Sequence, residues 1–101
     1  FAGPYLNLAA SRAFGTTYTN TSITPRFVTV TGYCTYTVSR CTMYSVVNGV
    51  IISGSQTSDG NYTSWLTATH NVSFIVPAGS TYSVNFDYPA YAVMAYWQEL
   101  N

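Results

Sequence analysis

The stretch from Asn71 to Asn85 constrains this chain more than any other, because two runs of strictly alternating residues flank Pro77-Ala78-Gly79. Val72, Phe74 and Val76 lie on one face of the first run, and Tyr82, Val84 and Phe86 continue that face on the second. Ser73, Thr81, Ser83 and Asn85 fall on the other face. Period-two alternation marks a strand with one face buried and one wet. Pro77 has the fixed φ that suits position i+1 of a tight turn, and Gly79 suits its close. The pattern predicts a β-hairpin with no catalytic group on it.

A second turn is as explicit. Asn48-Gly49 lies between Tyr44–Val47 and Val50–Ser53, the signature of a type I′ hairpin. In that register Val47 faces Val50 and Val46 faces Ile51, so both faces are apolar at the turn end. A free antiparallel sheet keeps one wet face, so the second face predicts burial, either beneath a loop or against a neighbouring subunit. Further short strands are expected at Thr16–Asn20, at Phe27–Thr31, at Cys34–Val38 after an interruption at Gly32, and at Tyr91–Leu100. In the last, Tyr91, Val93, Ala95 and Trp97 share a face. Thr24-Pro25 and Tyr88-Pro89-Ala90 read as breaks, and Ser53–Asn61 as a polar loop. Leu8–Ala13 is compatible with one helical turn. Many short strands with frequent turns predict an all-β antiparallel sandwich of about six to eight strands.

Three motifs suggest a family. The string Val76-Pro77-Ala78-Gly79-Ser80-Thr81-Tyr82-Ser83-Val84, the late Trp97-Gln98-Glu99-Leu100, and Gly15–Thr21 with Val28-Thr29-Val30 occur in that spacing between residues 15 and 100. In order and spacing they resemble the C-terminal tip domain of bacteriophage and prophage tail fibres. The resemblance implies a homotrimeric tip domain over residues 15–101, with residues 1–14 as a lead-in from a preceding fibre shaft. It implies a virion protein, exposed at the fibre tip, that attaches the particle to a bacterial surface glycan such as lipopolysaccharide or capsule. In that family the segment before the Val-Pro-Ala-Gly turn varies freely, as a receptor-reading loop should. A structural trimerisation cap and a monomeric adhesin-like sandwich are the alternatives.

Charge narrows the function. Only 6% of residues are charged, the formal net charge is zero, and the three basic residues are all arginine, against roughly 25% charged in an average soluble domain. No basic stripe is available for nucleic acid. The longest apolar run, Tyr91–Trp97, is far short of the about 20 residues needed for a helical membrane span. Sheet edges are normally guarded by lysine, proline or charge, and those guards are nearly missing, which predicts an obligate oligomer. The first residue, Phe1, follows no initiator methionine or signal pattern, which suggests a piece of a longer polypeptide.

Catalytic and metal chemistry find little support. His70 is the only histidine, and Asp59, Asp87 and Glu99 are the whole acid inventory. A Ser-His-Asp arrangement lacks a nucleophile motif, and a glycosidase needs two carboxylates facing one cleft. Cys34 and Cys41 are seven apart, on opposite faces of any continuous strand, so free thiols are expected unless a turn at Ser39-Arg40 intervenes. No enzyme, cofactor or metal is expected. The sequons at Asn20, Asn61 and Asn71 are expected to be chance matches in an Asn-, Ser- and Thr-rich chain.

Aromatic residues make up 17% of the chain. Sugar sites combine exposed rings, which stack on pyranose C–H faces, with amide and carboxylate partners for hydroxyls. Gln56, Asp59, Asn61, Tyr62, Trp65 and His70 bring those groups together in one stretch. They are the expected ligand-binding residues, although Trp65 could instead anchor the loop to the core. Trp97 and Leu100 are expected to close the last strand.

Overall fold

The computed structural model describes residues 4–34, 40–58, 68–87, 89 and 92–101, with backbone alone at 40, 41, 55–58 and 68. The strands are β1 (Leu6–Asn7), β2 (Tyr18–Thr19), β3 (Arg26–Cys34), β4 (Arg40–Val47), β5 (Val50–Ser58), β6 (Ala68–Val76), β7 (Thr81–Phe86) and β8 (Ala92–Leu100). They form two four-stranded antiparallel sheets, ordered β1-β8-β3-β6 and β2-β7-β4-β5. The all-β sandwich is as expected. A 3-10 turn lies at Ala9–Ser11.

Alternation places the core correctly. Val72, Phe74 and Val76 of β6 and Tyr82, Val84 and Phe86 of β7 are all buried, and meet Val28, Val30, Met43, Val47 and Trp97 between the sheets. The predicted hairpin, however, is an arch. β6 pairs with β3 in one sheet and β7 pairs with β2 and β4 in the other. Two strands with inward apolar residues give the same pattern whether they share a sheet or face each other across a core. Ser80 N donates to Pro77 O at 3.1 Å, so Pro77 opens the turn at position i. Gly79 takes a φ of +77°, the left-handed conformation glycine tolerates.

Asn20 fixes the arch. Its side chain is fully buried, and Nδ2 donates to Thr24 O at 3.0 Å and to Val76 O at 3.1 Å. Its Oδ1 accepts from Ser22 N and Ser22 Oγ, while Asn20 N donates to Ser80 O and Asn20 O accepts from Gly79 N. The sequon at Asn20 therefore presents no free amide. Asn48 and Gly49 both have positive φ, as the type I′ turn requires, and Val46↔Ile51 and Val47↔Val50 pair in the expected register. Asn48 also accepts from Thr81 N and donates to Ser80 Oγ, which ties this turn to the arch.

Four local expectations are corrected. Gly32 does not interrupt a strand but lies within β3, where a Cβ would come within 2.9 Å of Val93 O and 3.0 Å of Phe14 Cζ. The polar stretch expected as a loop from Ser53 remains strand to Ser58. In β8 the pairing runs from Thr31↔Tyr96 to Gly32↔Met94, leaving Ala95 as a bulge. That extra residue reverses the phase, so Ala92 and Met94 pack on the core together with Trp97. Cys34 is disulfide-bonded rather than free, and the chain holds one other cysteine, at position 41. The expectation of free thiols assumed one continuous strand. In fact β3 ends at Cys34 and β4 starts at Arg40 in the other sheet, so the opposite-face argument does not apply.

The N-terminal residues expected as a shaft lead-in are packed onto the sandwich from Pro4 onward. β1 pairs with β8, Leu8 N donates to Trp97 O at 2.7 Å, and Phe14 packs edge-on against Phe86 with centroids 4.7 Å apart.

Candidate functional site

The strand ends define two poles. At one, Cys34 pairs with Ala68 and Ala92, Arg40 pairs with Ser58, and Thr42 exchanges backbone bonds with Asp87 through its carbonyl and with the Asp87 carboxylate through its N–H. The described residues that flank 35–39, 59–67 and 88–91 all lie at this pole. At the other, Arg26 pairs with Val76 and Phe27 with Leu100, beside the arch and the Asn48-Gly49 turn.

Of the expected ligand-binding residues, Asp59, Asn61, Tyr62 and Trp65 lie outside the described residues. They belong to the 59–67 connection between β5 and β6. Gln56 is in β5, opposite Thr42. His70 lies on β6 with only 2% of its surface exposed, edge-on to Phe86 with centroids 6.2 Å apart. Burial pushes the His70 imidazole below its ordinary value, against the opposing charge of Asp87. Its ring belongs to the core rather than to the outer surface of that pole. Asn71, the third sequon, is exposed, but its Nδ2 donates to Thr29 Oγ1, Val30 O and Thr31 Oγ1.

The opposite pole holds a charged centre that the sequence reading did not anticipate. Glu99 is 4% exposed. Arg12 grips it as a fork, Nε to Oε2 at 3.1 Å and Nη2 to Oε1 at 3.3 Å. Arg26 Nη1 lies 3.3 Å from Oε1, and Tyr82 OH and Trp97 Nε1 donate to Oε2 at 2.8 and 2.9 Å. Arg26 also donates to Tyr82 OH through Nη1 and to Asn101 Oδ1 through Nε. The Arg12 guanidinium sits 4.7 Å above the Tyr18 ring.

Desolvation pushes the Glu99 carboxyl up, but hydrogen bonds from Arg12, Trp97 and Tyr82 outweigh it and hold the group below its usual value. Burial, reinforced by the Glu99 contact, pushes the Tyr82 phenol up. A sequence signal for this centre existed. Trp97 and Glu99 are two apart in one strand and so share a face, and in a chain with 6% charge a carboxylate on an inward face needs a partner.

A pocket of about 330 Å³ opens beside Arg12, Arg26 and Glu99, with Pro4, Leu6, Leu8 and Asn101 completing its lining. Among the described residues, no group of three or more His, Cys, Asp or Glu side chains is placed to hold a metal, and no helix is long and apolar enough to cross a membrane. The chain matches no protein-family model, and no curated protein matches it significantly.

Proposed function

We propose that this chain is the receptor-binding tip of a phage or phage-like tail fibre, acting as a homotrimer that attaches the particle to a bacterial surface glycan. The observation that carries the reading is that the strand ends flanking residues 35–39, 59–67 and 88–91 lie at one pole. Those three stretches hold Tyr36, Tyr62, Trp65, Tyr88 and Tyr91 beside Asp59 and Asn61 in sequence. A rigid scaffold that carries a variable loop is a common way to build recognition. Aromatic rings beside neutral hydrogen-bonding groups suit a glycan, and with so little charge the contact should depend weakly on salt.

The edges support assembly. β5 and β6 are the longer outer strand of each sheet, each nine residues long and without lysine, arginine, acid or proline. Val50, Ile51 and Ile52 of β5 and Ile75 of β6 are more than half exposed. Such edges invite pairing or coverage by another chain, and three weak glycan sites on one trimer would hold a cell surface by avidity.

Glycan-array binding by the sized oligomer, with Trp65→Ala and Tyr62→Ala, tests the reading. Loss of array binding with an unchanged melting temperature is the expected result. Wild-type binding by both variants would move recognition off this connection, and light scattering that reports a stable 11.0 kDa monomer at micromolar concentration would refute the trimer.

A further inference from the structure

We infer that the pocket at the Glu99 pole binds a small organic carboxylate with an apolar, ring-sized body. Charge is the first argument. Two guanidiniums meet one carboxylate, and that carboxylate already receives Arg12 on both oxygens, Arg26 on one, and Tyr82 and Trp97 on the other. Among the described side chains that line the pocket, two positive charges therefore face one negative charge. Asp87 lies at the far end of β7 from Tyr82, about 16 Å along the strand, where it accepts from Thr42 N. Among the described residues no second carboxylate reaches the arginines.

Free donors are the second argument. Arg26 uses Nε for Asn101 and Nη1 for Tyr82 and Glu99, so its guanidinium is held from one side while Nη2 has no partner among the described residues. Asn101 receives Arg26 on Oδ1, which leaves its Nδ2 as a second donor. A guanidinium already fixed in place loses little side-chain entropy when an anion arrives. The arginine side chains are 19% and 14% exposed, so an anion here meets donors screened from bulk water.

Shape selects the rest of the ligand. About 330 Å³ is at the lower end of the range for small-molecule sites. Pro4, Leu6 and Leu8 add an apolar lining that a bare inorganic anion would leave unfilled. The site is independent of the glycan reading, because β3 separates the two poles by roughly 26 Å.

The test is a titration of the ¹⁵N-labelled chain with benzoate, and with benzamide as the neutral isostere. Saturable shifts confined to Leu6, Leu8, Arg12, Arg26 and Asn101 with benzoate, and absent with benzamide, are expected. Arg26→Gln should weaken binding about tenfold, the loss expected for one charged hydrogen bond. Should that variant unfold, Leu6→Asp serves instead. Leu6 is 54% exposed, and a carboxylate there should abolish the benzoate response in a folded chain. Equal shifts with benzamide, no saturable response, or an unaffected Leu6→Asp variant would each overturn the assignment.

Discussion

Replacing Glu99 by glutamine removes one charge while keeping the side-chain shape, and should be the most damaging near-isosteric change in this chain. The carboxylate receives donors from Arg12, Arg26, Tyr82 and Trp97 while 4% exposed. Glutamine offers one accepting oxygen, and its amide turns two N–H groups toward donors. If Oε1 stays with Tyr82 and Trp97, the amide faces Arg12 Nη2 and Arg26 Nη1. Two guanidiniums are then left largely buried without a counter-charge. Removing one partner of a buried ion pair costs about 3–5 kcal/mol. For a domain of this size that is a fall of about 12–25 °C in melting temperature, taking the lower slope per kcal/mol through most of the range. Urea unfolding of wild type and Glu99→Gln, with Arg12→Gln and the double variant, completes a cycle. A single-variant loss below 1 kcal/mol, or a cycle that adds without coupling, would refute the view that this centre holds the pole together.

Two further predictions concern the arch and acid stability. Asn20→Ala should cost about 2–3 kcal/mol in urea unfolding, because Val76 O and Thr24 O lose their donor in a buried site; a change under 0.5 kcal/mol would mean that water replaces the amide without loss. Burial lowers the folded His70 value below 6.5, so the unfolded chain binds the proton first, and the stability from neutral His70 is complete above that pH and lost as pH falls. Melting temperatures of wild type and His70→Gln should accordingly converge as pH falls from 7.5 to 5, while parallel curves would contradict burial of the ring; Glu99, with its value lowered, adds a second loss only at more acid pH, as pH falls through the lowered folded-state value.

What could be read from the sequence was local, and what could not was pairing between distant segments. Asn48-Gly49 specifies its turn by backbone sterics alone, and Val46↔Ile51 followed directly. Alternation identified Val72, Phe74, Val76, Tyr82, Val84 and Phe86 as inward, because that depends only on which face is buried. Whether β6 and β7 share a sheet depends on Asn20, some 57 residues before Pro77, whose buried amide holds the turn open as an arch. The Ala95 bulge and the close packing at Gly32 arise from the partner strand. The inward position of Glu99 was legible from Trp97, but Arg12 and Arg26 reach it only through pairings that no spacing rule contains. The aromatic candidates Tyr62 and Trp65 lie outside the described residues, and the sandwich places only the strand ends that flank them.

The strand order also sets a sequence of events for folding. β4 and β5 meet through a two-residue turn and can close within microseconds. The rest of the sandwich cannot, because Val30 pairs with Trp97 across 67 residues and Tyr18 with Tyr82 across 64. Such separations place a chain among the slower folders, in the millisecond-to-second range. β8 is flanked by β1 and β3 within its sheet, and it delivers both Trp97 and Glu99 to the interior. During synthesis the sheet therefore cannot close until Ala92–Leu100 has left the ribosome. Until then β3 waits with one neighbour missing, and the uncharged edges of β5 and β6 are exposed to whatever other strands are nearby.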